Sequence, residues 1–167
     1  MTERAYIGLG SNLASPADQL DQALRSLATL PATRLADVSS FYASDPLGPA
    51  DQPRYVNAVA ALDTDLPPID LLDALQAIEH AQGRVRERRW GARTLDLDII
   101  LYGDRLIDEP RLRVPHYHLQ ARAFVLYPLA DVAPAGLRLA DGRFLSDLLA
   151  QCPFEGLERL EALSPQR

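Results

Sequence analysis

The chain has 167 residues, 47% of them apolar and 24% charged, with a net charge of −6, which fits one compact domain spanning 1–167 that buries its core without staples. A lone cysteine, Cys152, excludes an intramolecular disulfide and a thiolate zinc site. The charged start of the chain and the lack of any apolar run near ~20 residues point to a cytoplasmic protein that does not enter a membrane. All 17 basic residues are arginines, which excludes P-loop and Schiff-base lysines, and the acidic balance speaks against a non-specific nucleic-acid binder.

Residues 5–9 (AYIGL) read as a strand and Gly10-Ser11-Asn12 as a turn. Ser15-Pro16 is a helix start, with Leu20, Ala23, Leu24 and Leu27 at helical spacing until Pro31 stops the pattern. Residues 34–43 read as one strand, and the Pro- and Gly-containing stretch 44–54 as a loop. Residues 55–63 alternate: Tyr55, Asn57, Val59 and Ala61 share one face, and Val56, Ala58, Ala60 and Leu62 the other. Pro67-Pro68 opens a second helix with an apolar stripe of Ile69, Leu72, Leu75 and Ile78, ended by Gly83. A strand follows near 93–102, with a turn at Gly103-Asp104, a short strand at 112–115, and helices at 122–132 (around Pro128) and 144–152. The order β-α-β-β-α-β predicts an α+β sandwich with a largely antiparallel sheet and packed helices.

The stretch RWGARTLDLDIILYG, residues 89–103, carries the densest chemistry. Asp96 and Asp98 lie two apart in a strand-like run, so they share a face with Cα atoms about 6.5–7 Å apart, while Leu95, Leu97, Ile99 and Leu101 fill the other. Such carboxylates repel when both are ionised, and a bridging Mg²⁺ relieves this. A half-solvated strand gives the same alternation, but aspartate is depleted in strands. Upstream stand Arg84, Arg86, Arg88, Arg89 and Arg93, a residue type that grips phosphate bidentately. Carboxylates beside arginines describe a nucleoside-triphosphate site with metal. Trp90, amid the arginines, is either a lid anchor or a core plug. Tyr55 and Asn57 on one strand face suit a flat, amide-like heterocycle, by stacking and by paired donor and acceptor. Core packing is the alternative for Tyr55 and a capped turn for Asn57, and Phe124, as a lone aromatic, is more often a core residue. Pro46-Leu47-Gly48 offers backbone groups to the same ligand or is simply a turn. Gln76 and Glu79 are helix neighbours that either face a ligand or form a solvated face. His116 is a phosphate contact or a structural histidine.

Taken together, AYIGLGSN, SSFY, PLGPADQPRYVNA, RWGARTLDLDIILYG and VPHYHLQARAFVLYPL, spread over residues 5–135, resemble the 6-hydroxymethyl-7,8-dihydropterin pyrophosphokinases of folate biosynthesis. The resemblance implies a ferredoxin-like α+β fold and transfer of pyrophosphate from ATP to the hydroxymethyl group of a reduced pterin, leaving AMP. It implies that Asp96 and Asp98 bind two Mg²⁺ ions, that Arg84 and Arg93 bind phosphate, and that Arg86 and Trp90 belong to a mobile catalytic loop. Gln76, Glu79, Ile99, Arg111, His116, Tyr117 and Arg122 match ATP-site positions. Tyr55, Asn57 and Phe124 match the pterin site, with Ser44, Pro46, Leu47 and Gly48 contributing from the loop. Ser44 replaces the family's common threonine and keeps the hydroxyl. Arg113 stands where a small hydroxyl residue contacts ATP, so that role is not carried over. The segment 86–90 is one residue shorter, which leaves Arg88 and Arg89 without roles. The implied partners are ATP and the pterin, with no nucleic acid and no membrane, and the chain is expected to act as a monomer. The alternatives are another Mg²⁺-dependent nucleotidyl transferase and a non-enzymatic ferredoxin-like RNA-binding module.

Overall fold

The alternation read at 55–63 is realised as the central strand of an antiparallel sheet. A computed structural model describes residues 2–11, 16–44, 55–82, 95–115, 123–154 and 157–160. In chain order the elements are β1 (Glu3–Ser11), α1 (Pro16–Ala28), β2 (Thr33–Val38), β3 (Tyr42–Ser44), β4 (Tyr55–Thr64), α2 (Pro68–Ala81) and β5 (Asp96–Tyr102). The hairpin strands β6 (Ile107–Glu109) and β7 (Leu112–Val114) follow, then α3 (Ala123–Val132), α4 (Leu145–Ala150) and β8 (Leu157–Arg159).

The main sheet runs β5-β1-β4-β3-β8, and β2 shares the β4 edge with β3. Each described pairing is antiparallel. With α1 and α2 as crossovers this is the expected ferredoxin-like arrangement, extended by β8 and by the separate β6-β7 hairpin. One sheet face packs Ala58, Ala60 and Leu62 of β4 against Leu20 and Leu27 of α1 and Leu71 and Leu75 of α2. The other packs Val59 and Ala61 against Leu126 and Leu129 of α3 and Leu148 of α4. The period-two pattern of β4 therefore serves two cores. Among the described residues, no helix is long and apolar enough to cross a membrane.

Several local expectations are corrected. Gly10 and Ser11 continue β1 rather than turning, because both pair with β4, Gly10 opposite Asn57 and Ser11 opposite Val56. The single strand expected at 34–43 is two. Between them the Ser39 hydroxyl accepts the Val59 N–H at 2.9 Å while the Ser39 N–H donates to the Val59 carbonyl at 2.9 Å. A side chain thus replaces ladder hydrogen bonds where the chain bends. In β5 the register against β1 jumps from Ile7–Ile99 to Tyr6–Leu101. Ile100 is the extra residue of a bulge, and Leu101 joins Ile100 in the α3-side core instead of facing away with Leu97. In α2 the buried set includes Leu71 and Glu79, whereas Ile69 is only partly buried. Pro128 lies inside α3, where it removes a helix hydrogen bond; its own burial and that of Leu126 and Leu129 hold the helix on the sheet. The last helix is shorter than 144–152, and β6 and β8 lacked any periodic signal, each being three residues long.

Candidate active site

Partners directly opposite in an antiparallel ladder present their side chains to the same face. Asp96 pairs with Gly10, Gly10 with Asn57, and Asn57 with Tyr42, so one row crosses four strands. One step along, Asp98 pairs with Gly8 and Gly8 with Val59. The glycines stand between the carboxylates and the β4 side chains, so a strip of glycine backbone separates Asp96 from Asn57, about 10 Å apart by strand spacing, with the Asn57 amide leaning over Gly10 and the Ile100 side chain over Gly8. The strip lies on the sheet face that carries α3. Asp96 is half-buried and Asp98 exposed, while the opposite residues Leu95, Leu97 and Ile99 are buried.

Gly10 is fixed by a close approach. A Cβ there would fall 2.8 Å from Asn57 Oδ1, nearer than van der Waals contact allows. Asn57 is buried, and its Nδ2 donates to Ser44 Oγ at 3.2 Å. Ser44 pairs with Tyr55, so Ser44, Tyr55 and Asn57 form one polar and aromatic corner on the same face. Phe124 stands half-buried in the first turn of α3, on the layer that packs against this face.

The other edge of the site is built from α2 and the turn between β6 and β7. Arg111 Nη2 donates to Asp73 Oδ1 at 2.6 Å and to Gln76 Oε1 at 3.2 Å. Two residues from separate segments, Gln76 and Arg111, are thereby brought within hydrogen-bond distance of each other. Glu79 is buried, and its Oε2 accepts the N–H of Leu97, the residue between the two aspartates, at 2.7 Å. Ile99 is buried in the helix-side core, so it can offer a ligand only its main chain. Arg84, Arg86, Trp90, Arg93, Pro46, Leu47, Gly48, His116, Tyr117 and Arg122 lie outside the described residues.

The sequence reading missed Gly8, Gly10 and Asp73. The signal for the glycines was present: Gly-x-Gly in a strand puts two missing side chains on one face, a mark of close approach by backbone or ligand. Asp73 had none, since its partner Arg111 is distant in sequence.

The description 7,8-dihydro-6-hydroxymethylpterin-pyrophosphokinase (HPPK) belongs to the family model that matches residues 6–134. The chain is 69% identical over 160 residues to the 2-amino-4-hydroxy-6-hydroxymethyldihydropteridine pyrophosphokinase of Pseudomonas aeruginosa, covering 96% of this chain and 98% of that one. It is 54% identical over 147 residues to the Haemophilus influenzae protein of the same name, covering 88% of this chain and 91% of that one. In fold it is similar to wild-type Plasmodium falciparum HPPK-DHPS crystallised with pteroate, with a TM-score of 0.70 at 14% identity over 90% of this chain and 42% of that chain. With the row of aspartates, glycines and asparagine in place and the family model covering most of the sheet, the chain belongs to the 7,8-dihydro-6-hydroxymethylpterin-pyrophosphokinase family.

Proposed function

We propose that this chain transfers pyrophosphate from ATP to the hydroxymethyl group of 6-hydroxymethyl-7,8-dihydropterin, giving AMP and the pterin pyrophosphate, for folate biosynthesis. The observation that carries this reading is the Asp96–Gly10–Asn57 row, in which glycine lets the buried Asn57 amide lie close over β1 on the same sheet face as the carboxylate pair. In this assignment the pterin sits at Asn57, Tyr55 and Ser44, with Phe124 against its ring. The nucleotide lies along Gln76 and Arg111, and its phosphates reach Asp96 and Asp98.

Among the described residues, no third histidine, cysteine or carboxylate joins the aspartates in a metal-binding group. This donor set suits Mg²⁺, which is usually held by one or two carboxylates with water and phosphate oxygens completing the shell. Asp96 and Asp98 would hold two such ions, which supply charge neutralisation and polarisation of the phosphate oxygens. The reaction itself is fixed by its products. The pterin hydroxyl oxygen bonds to the β-phosphorus, the bond from that phosphorus to the oxygen bridging it to the α-phosphorus breaks, and the hydroxyl proton is released. The chain's part is alignment: Asn57 orients the pterin by its donor and acceptor, and Arg111 with Gln76 fixes the nucleotide. Arg84, Arg86 and Arg93 offset phosphate charge, with Trp90 beside them in sequence. The proposed working unit is a cytoplasmic monomer that acts on ATP and the pterin, without nucleic acid.

The test is to incubate the protein with ATP, Mg²⁺ and 6-hydroxymethyl-7,8-dihydropterin. AMP and pterin pyrophosphate should appear in equal amounts, and chelation should stop both. Release of free pyrophosphate would replace this reading with nucleotidyl transfer, and absence of turnover would reject it.

A further inference from the structure

The Asp96–Gly10–Asn57–Tyr42 row continues one strand further. Tyr42 pairs with Arg159 of β8, so the C-terminal strand ends in line with the residues assigned to the pterin. Arg159 Nη2 lies 3.4 Å from Asp131 Oδ1 of α3, its Nε donates to Ser40 Oγ at 3.1 Å, and its guanidinium lies 5.9 Å from the centre of the Tyr42 ring. The other oxygen of Asp131 accepts the Tyr42 hydroxyl at 2.8 Å and the Ser40 N–H at 3.2 Å. The Leu160 N–H donates to the Phe41 carbonyl at 2.8 Å, and the Phe154 ring meets Tyr42 and Tyr127 edge-on. Residues 40–44 are thus gripped by β8 and by α3. β3 is only three residues long, too short for its own ladder to hold it firmly. Yet it carries Ser44, whose hydroxyl accepts from Asn57. The β8 strand lies beyond the stretch that the family model matches.

We propose that the C-terminal strand is a clip that sets the pterin side of the site, with Arg159 and Asp131 as positioning residues that hold β3 in register so that Ser44 fixes the Asn57 amide. The proposal rests on the pterin assignment to Asn57 made above. Arg159 acts on the site through β3, beside which it pairs with Tyr42, and through its ion pair with Asp131 of α3.

Steady-state kinetics of Arg159→Ala, Arg159→Lys, Tyr42→Phe and Asn57→Ala, with thermal melts, test it. Arg159→Ala should raise KM for the pterin by about three- to fivefold, the size that loss of a partly exposed ion pair allows, with KM for ATP and kcat within about twofold. Arg159→Lys should restore part of the loss, and Tyr42→Phe should shift pterin KM in the same direction. Unchanged pterin KM in Arg159→Ala, or equal rises in both KM values with a lowered melting temperature, overturns the clip. If Asn57→Ala itself leaves pterin KM unchanged, the pterin assignment fails. If it raises pterin KM while Arg159→Ala does not, the clip alone fails.

Discussion

The Glu79 carboxylate of α2 accepts the Leu97 N–H of β5 at 2.7 Å, with both residues buried. Among the described residues β5 ends the path of the sheet, so a side chain here supplies an acceptor where no described strand does, between the two aspartates. Glu79→Ala should destabilise the protein by about 1–3 kcal/mol, the cost of a buried donor left unsatisfied, and should raise the Mg²⁺ concentration needed for half-maximal turnover. Glu79→Gln keeps an acceptor and should recover part of both. Urea unfolding and Mg²⁺ titrations of activity measure the two effects, and a Gln variant as damaged as Ala would show that the charge, not the hydrogen bond, matters.

Gly10→Ala puts a methyl group where the Asn57 amide now lies, 2.8 Å from its oxygen. The amide must move, and its bond to Ser44 goes with it. The expected result is a rise in pterin KM well above any rise in ATP KM, with loss of stability of about 1–3 kcal/mol from crowding in a packed strand. Equal changes in both KM values would place Gly10 outside the pterin side.

Asp96→Asn and Asp98→Asn each remove one of two like charges on a strand face. In metal-free protein the relief of like-charge repulsion offsets the loss of each carboxylate's other interaction, so either change should leave the melting temperature near that of the wild type. Turnover and Mg²⁺-dependent nucleotide binding should fall sharply. Melts without metal, paired with AMP release across a Mg²⁺ titration, check both halves, and near-normal activity of both variants would rule out the metal role.

Tyr42 gives a pH signature. Burial, and next the hydrogen bond to Asp131, push its hydroxyl up to about 12 from the ordinary 10.0. Between those values the folded state keeps a proton that the unfolded chain releases, so the contribution is intact below pH 10 and is lost as pH rises toward 12. Melting temperature should therefore fall across that window more steeply in the wild type than in Tyr42→Phe. Parallel melting curves would show that Tyr42 is not held by Asp131.

What the sequence by itself determined was whatever depends on local period and residue chemistry. The alternation at 55–63 named both faces of β4, and the two-residue spacing of Asp96 and Asp98 put their side chains together, because a strand's pleat has a fixed period. Prolines at 16 and 68 marked where helices begin. Tertiary structure decided whatever depends on partners distant in the chain. Gly10 read as a turn because glycine is locally permissive, and only the strands on both sides make it a strand residue held by close approach to Asn57. The bulge at Ile100, which turns Leu101 into the α3 core, is a matter of register between β1 and β5 and leaves no mark in composition. The pairs Arg111–Asp73, Glu79–Leu97 and Arg159–Asp131 join segments 38, 18 and 28 residues apart. Such pairing follows from packing and hydrogen bonding across elements, which no periodicity within a single element encodes.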